Sequence, residues 1–214
     1  MNQQQQIDPA LQQLFAQANV DILASLPDLR KIDVEHARRI LARYDAAIEG
    51  NFTSWMGATI VSARSLAGRY AASENLMVEL RDDHPTMLRD FVRYASAIPT
   101  VEDQADVFNV LESYRQLFAQ MRGLRNLTAM ATLEGTSALF IPWLGELAKK
   151  CGGTSFKYIE VHGKADVAHA EQFLLAVAVE VDLWNPTEVL PEIRIGIGRT
   201  IQFLHFLFNG TIRS

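Results

Sequence analysis

The amino-acid sequence predicts an all-α fold, a multi-helix bundle of about seven to eight helices. Apolar residues recur at helical spacing through most of the chain. Runs of alternating β-branched residues flanked by tight-turn pairs, which would predict strands, do not occur. Proline and glycine divide the periodic stretches and leave only short connections, a pattern typical of antiparallel bundles.

The helices can be placed in order along the chain. We expect the first at 9–26, closed by Pro27, and a long second one from the N-cap Asp33 to about residue 70. A short helix at 73–82 runs into His84-Pro85, and Pro85 is expected at the first position of the next helix. Further helices are expected at 101–124, 126–150, 155–183 and 187–208.

Length and composition predict one folded domain over residues 1–214, with residues 1–8 as a frayed N-terminal tail. Hydrophobic residues make up 49% of the chain and charged residues 21%, which is typical of globular proteins and excludes a disordered chain. The single cysteine, Cys151, excludes an intramolecular disulfide and favours the reducing cytoplasm.

The charge pattern restricts the partners. A net charge of -5 without a cluster of Lys and Arg argues against nucleic-acid binding. The longest apolar stretches, such as 173–179, are too short to span a bilayer, so no membrane anchor is expected. A small-molecule substrate is the expected partner, and a homodimer is left open.

The most informative motif lies in the helix expected at 155–183. His162, Asp166 and His169 stand at i, i+4 and i+7, which places them on one helix face. Two imidazoles and a carboxylate suit iron or manganese better than structural zinc, which more often recruits thiolates. The alternative is a solvated polar face, but the apolar neighbours Val161 and Phe173 disfavour full exposure.

Two other segments carry ionisable residues in unusual places. Glu134 is the only charged residue between Arg125 and Glu146, so its carboxylate must be protonated, paired with a cation or bound to a metal. Glu79 and His84 lie in an acidic segment at a helix boundary, which by itself would indicate only a polar turn.

The three segments together resemble the haem-oxygenase-like di-iron oxidases, relatives of the TenA and PqqC proteins. The resemblance covers residues 75–169 in motif order. It matches a Glu followed by a His-Pro pair, a lone Glu on a middle helix, and a later His-x-x-x-Asp-x-x-His motif. The metal ligands that it implies are Glu79, His84, Glu134, His162, Asp166 and His169.

One spacing departs from the family pattern. The family usually has more residues between the first Glu and its His, whereas Glu79 and His84 are close in sequence. Asp82, Asp83 or Glu74 are therefore alternatives to Glu79 as the first carboxylate ligand.

The resemblance implies a haem-oxygenase-like bundle that holds two Fe²⁺ per chain, with Mn²⁺ as an alternative, and O₂ as co-substrate. The implied activity is an O₂-dependent oxidoreductase of specialised metabolite biosynthesis, with outcomes from decarboxylation to nitrogen oxygenation. An amino-acid-derived substrate is favoured over a fatty acid because the chain is short. The residues expected to contact the substrate are Arg194, Arg199, Phe140 and Met130.

Two other function classes remain compatible with the sequence. A metal-free protein on the same bundle would bind a ligand without needing all six metal ligands. A partner-binding regulator would instead expose an apolar patch.

Overall fold

The computed structural model describes residues 7–210, except for the side chains of residues 164–167. Within that part the chain forms nine helices and no strand, which confirms the predicted all-α class with one or two more helices than expected. The helices are α1 (Pro9–Ser25), α2 (Val34–Ile48), α3 (Phe52–Ser62), α4 (Leu66–Arg81), α5 (His84–Tyr94), α6 (Val101–Ala119), α7 (Gly123–Lys150), α8 (Lys157–Val181) and α9 (Pro186–Asn209).

The prediction of one long helix from Asp33 to about residue 70 is wrong, because this stretch contains two complete helices and the start of a third. Asp33 does cap α2, since its carboxylate accepts a hydrogen bond from the His36 backbone N–H at 2.7 Å. The chain then turns at Gly50, whose φ of +72° lies in the left-handed region that favours glycine. A second break follows α3, where Ala63 is extended and Ser65 caps α4.

A contact remote in sequence fixes the corner between α3 and α4. The Glu180 carboxylate on α8 accepts hydrogen bonds from the backbone N–H groups of Arg64 and Ser65, at 2.9 and 2.7 Å. Glu180 thereby satisfies backbone donors that the corner leaves without a helical partner. Helical periodicity carries no information about such a contact.

The central element is α7, which is buried along most of its length and packs against α8, α9, α1, α2 and α3. Its first residue, Gly123, lies directly against α3. A Cβ built there would stand 2.3 Å from the Ser62 carbonyl oxygen, so only glycine permits this approach. The chain break predicted near Gly123 is therefore also a packing point.

An aromatic cluster forms the core where α3, α6 and α9 meet. The Tyr114 and Phe203 rings are stacked with centroids 4.3 Å apart, and the Trp55 ring packs edge-on against Tyr114 at 4.9 Å. This end of the bundle is tightly filled, whereas the candidate site lies between α2, α4, α5, α7 and α8.

A helix that crosses a bilayer must be both long and apolar along its length. Within the described residues no helix combines these two properties.

Candidate metal centre

A tight chain reversal brings Glu79 and His84 together. Only Asp82 and Asp83 separate α4 from α5, and Asp83 has left-handed backbone geometry with φ +54°. The reversal places the Glu79 Oε1 atom 2.7 Å from the His84 Nδ1 atom. The short spacing noted in the sequence therefore does not keep these two residues apart.

His162 on α8 completes a buried triad with them. Glu79, His84 and His162 each offer one donor atom, and these atoms all lie within 4.8 Å of one another. The residues are 8%, 2% and 8% exposed, respectively. A carboxylate and two imidazoles converging in a buried space form a donor set suited to a divalent cation.

The His162 ring is held in a form that can bind a metal. Its Nδ1 atom lies 2.9 Å from the Tyr158 carbonyl oxygen, one helical turn earlier, and a proton on Nδ1 makes that hydrogen bond. Burial lowers the pKa of His162 to about 4, against the opposing effect of the Glu79 charge. The imidazole is therefore neutral at pH 7, and its Nε2 atom keeps the lone pair that a cation needs.

Glu134 lies beside the triad on α7 and is 4% exposed. Burial, together with the charge of Glu79, raises the pKa of Glu134 well above its ordinary value, and His84 opposes this only partly. His169 on α8 approaches it, with 3.8 Å between His169 Nδ1 and Glu134 Oε2. Without a cation, burial therefore favours the protonated form of this carboxyl group.

Asp166 was predicted as the remaining ligand, and its side chain lies outside the described residues. Helix α8 runs without interruption from Lys157 to Val181, so the helical spacing of the motif is preserved. His162 faces Glu79 on α4 and His84 on α5, and His169 faces Glu134 on α7. The role of Asp166 stays a prediction.

A largely apolar cavity of about 50 Å³ opens onto the triad and Glu134. Its apolar wall consists of Ile48, Phe52, Leu88, Leu133, Phe140 and Ile141. Three residues with hydroxyl groups, Tyr44, Tyr158 and Ser137, also line the cavity. The more exposed lining residues, Gly50 and Thr53, place the mouth at the turn between α2 and α3.

Comparison with known proteins agrees with this geometry. A family model described as an iron-containing redox enzyme matches residues 39–205, which include the whole cluster. The chain belongs to the iron-containing redox enzyme family. No curated protein matches the sequence significantly.

A solved structure extends the likeness to the whole fold of this family member. A TenA homologue from Pseudomonas syringae pv. tomato superposes with a TM-score of 0.70 and 14% sequence identity. The superposition covers 96% of this chain and 92% of the homologue. At this identity the likeness shows a shared fold, and it confirms the predicted haem-oxygenase-like bundle.

The donor groups of this family member fit iron. The described donors are three imidazoles and two carboxylates, and the one cysteine, Cys151, lies at the C-terminus of α7 away from them. Nitrogen and oxygen donors without thiolate suit Fe²⁺ or Mn²⁺. A cation would also stabilise the buried carboxylates, which are costly to ionise in an apolar setting.

The cavity lining includes only one of the residues expected to bind substrate. Phe140 lines the cavity, whereas Met130 is fully buried and does not line it. Arg194 and Arg199 do not line this cavity, and their contact with a substrate stays a prediction. They point away from the buried face of α9, which Ile193 and Ile197 occupy.

Tyr44 and Tyr158 were not singled out in the sequence, yet both line the cavity. Their hydroxyl oxygens are 2.8 Å apart, and the Tyr158 ring lies 4.1 Å from the His162 ring. The position of Tyr158, four residues before His162, was a usable signal because i and i+4 share a helix face. Tyr44 gave no such signal, since only the tertiary structure brings its side chain against Tyr158.

The alternatives to Glu79 lie elsewhere. Glu74, Asp82 and Asp83 are exposed. Asp82 pairs with Arg81 at 2.7 Å, and Asp83 forms the chain reversal. Glu79 is the acidic residue of this segment whose carboxylate belongs to the buried cluster.

Proposed function

We propose that this protein is an O₂-dependent non-haem di-iron oxidoreductase that oxidises a small organic molecule. The observation that carries the proposal is the buried set of donors from four helices at the end of one apolar cavity. Glu79, His84 and His162 form one group, and Glu134 with His169 forms an adjacent one. Two adjacent groups favour two metal ions over one.

Charge balance supports two divalent cations. Glu79, Glu134 and Asp166, when ionised, would bring three negative charges against the four positive charges of two ferrous ions. The small positive remainder suits an anionic oxygen species or a substrate carboxylate. Because burial raises the pKa of Glu134 well above its ordinary value, a cation that binds its carboxylate would favour loss of its proton.

Ferrous ions bound there would supply the electrons that reduce dioxygen and the oxidising power that acts on the substrate. The chain itself orients the donors: the Tyr158 carbonyl fixes the tautomer of His162, and the Asp83 reversal fixes Glu79 against His84. The apolar wall keeps water away from the reacting atoms.

The wall also indicates the kind of substrate. Side chains such as Leu88, Leu133 and Phe140 offer contacts to a hydrocarbon portion, and the Tyr44–Tyr158 pair offers hydrogen bonds to a polar group. Both an amino-acid-derived molecule and a fatty acid contain such parts. We retain the amino-acid-derived substrate as the first to be tested.

Metal analysis tests the proposal. Full-length protein loaded with ferrous ion without oxygen and then desalted should retain about two irons per chain. His84→Ala should retain markedly less. Asp45→Asn is the matched control, because Asp45 is a buried carboxylate on α2 that is not among the donors, and it should retain as much as the wild type.

Two results would refute the proposal: a wild type that retains no iron, and a His84→Ala variant that retains as much as the wild type. An iron-free protein that still binds small organic molecules would instead be a ligand-binding protein on this bundle. If iron is retained, oxygen uptake by the loaded wild type, absent from Glu134→Gln, tests the oxidase activity separately.

A further inference from the structure

A second cavity lies between α2 and the C-terminal end of α9. We call it the α2–α9 cavity, and it is lined by Asp33, Glu35, His36, Arg39, Arg43, Asp106, Phe206, Asn209 and Gly210. None of these residues lines the metal-centre cavity, so the two spaces are distinct. His36, Arg39 and Arg43 follow one another at three and four residues and share one face of α2.

Arg43 is the unusual member of this lining. It is 4% exposed, and its Nε donates a hydrogen bond to the Leu207 carbonyl oxygen at 3.0 Å. Its Nη2 atom is buried and has no acceptor within the described part of the chain. No described carboxylate forms an ion pair with its guanidinium, and burial lowers the pKa of Arg43 without making it neutral.

A buried guanidinium without an anion is energetically unfavourable. Removing its charge from water is unfavourable unless an opposite charge and hydrogen bonds compensate for it. The Arg43 guanidinium has five N–H groups. Among the described residues, the acceptor for these groups is the Leu207 carbonyl oxygen. An anion in the cavity would supply further compensation.

The carboxylates around the cavity already have partners. Asp33 caps α2. Glu35 pairs with Arg38, outside the lining, at 2.7 Å. Asp106 pairs with Arg39, at 3.3 Å. None of these carboxylates forms an ion pair with Arg43, and Asp106 and Asp103 attract its charge only at longer range.

The space beside the guanidinium is kept open by Gly210. A Cβ at this position would lie 3.3 Å from Arg43 Nη1, and its φ of +70° is one that L side chains rarely adopt. Arg43 lines the cavity, and the Nη1 atom of its forked guanidinium lies beside the position that this absent side chain leaves open. A planar fork of this kind binds carboxylate and phosphate oxygens in pairs.

We propose that the α2–α9 cavity binds a small oxyanion, a carboxylate or a phosphate, through the guanidinium of Arg43 with Arg39 beside it. The oxyanion would accept a hydrogen bond from the Arg43 Nη1 atom beside Gly210. Phe206 provides an apolar wall for the uncharged part of a larger ligand.

Thermal unfolding of the full-length protein tests this site with inorganic phosphate and with acetate as separate probes, each at an ionic strength matched by sodium chloride. Phosphate or acetate at a hundred times its Kd should raise the Tm of the wild type by about 5 to 10 °C. A response to phosphate alone identifies a phosphate site, and a response to acetate alone identifies a carboxylate site.

Arg43→Met and Arg38→Met form a matched pair, because both remove one positive charge from α2 and only Arg43 lines the cavity. Arg43→Met should lose the response, Arg38→Met should keep it, and Arg43→Lys should keep it at a higher anion concentration. Without anion, Arg43→Met should be at least as stable as the wild type, because it removes an uncompensated buried charge.

Three outcomes would overturn the proposal. They are a wild type that responds to neither anion, an Arg43→Met variant that responds as strongly as the wild type, and an Arg38→Met variant that loses the response equally. If the wild type responds to neither anion and Arg43→Met has a lower Tm than the wild type, Arg43 has only a structural role, through its hydrogen bond to the Leu207 carbonyl at the end of α9.

Discussion

Replacing Asp45 with Asn should stabilise the protein at neutral and alkaline pH and change little in acid. Asp45 on α2 is 2% exposed, and its Oδ1 atom has no hydrogen-bond partner among the described residues. Burial, reinforced by the nearby charge of Glu49 and opposed by Arg89, raises the pKa of Asp45 to about 7. Ionising this carboxyl group is therefore unfavourable only in the folded state.

The size of the effect follows from linkage. The pKa of Asp45 is 3.8 in the reference state and about 7 in the folded protein, and each pKa unit corresponds to about 1.4 kcal/mol. Between these values the folded protein binds more protons than the unfolded chain, so its stability falls as the pH rises. The total loss is about 4 kcal/mol, complete above the folded pKa.

Asp45→Asn lacks this titration. Its free energy of unfolding should exceed that of the wild type by up to about 4 kcal/mol at pH 8, equivalent to roughly 10 °C in Tm, and by little near pH 4. Urea unfolding of both proteins across this pH range measures the difference. Asp21→Asn, at an exposed carboxylate on α1, is the control and should show no such pH dependence. A difference between Asp45→Asn and the wild type that is constant with pH would refute the reasoning.

Three further predictions concern packing and the metal centre. Phe203→Ala should lower the free energy of unfolding by about 3 to 5 kcal/mol, because it leaves a cavity in the aromatic cluster. Urea unfolding measures this loss, and a value below about 1 kcal/mol would contradict the prediction. Gly123→Ala should destabilise the protein, because the added Cβ would collide with the Ser62 carbonyl oxygen. Gly57→Ala should stabilise α3 by about 0.5 to 1 kcal/mol, because a Cβ at Gly57 would have no other atom within 4 Å. If both variants change the Tm in the same direction, the close approach of α7 to α3 is not supported. Manganous ion should raise the Tm of the wild type, and it should raise the Tm of Glu134→Ala by less. Glu171→Ala is the control, because Glu171 is exposed, and its Tm should rise as much as that of the wild type. An identical rise in all three proteins would exclude Glu134 as a ligand.

The sequence by itself determined the helical class and the most specific part of the candidate site. Apolar periodicity reports which face of a segment is buried, and this local property is enough to predict helices. For the same reason the spacing of His162 and His169 predicted one helix face, and Glu134 stood out as a charge in an apolar helix. These signals lie within single helices and need no knowledge of how the helices pack.

Tertiary structure alone decided how these helices meet. The corner between α3 and α4 depends on Glu180, more than a hundred residues away, and the meeting of Glu79 with His84 depends on the left-handed geometry of Asp83. Arg43 is likewise an ordinary helix residue in the sequence and becomes an uncompensated charge only where α2 packs against the end of α9. Burial and the contacts between helices arise from the whole chain, so the ionisation and partners of these side chains cannot be inferred from local sequence spacing.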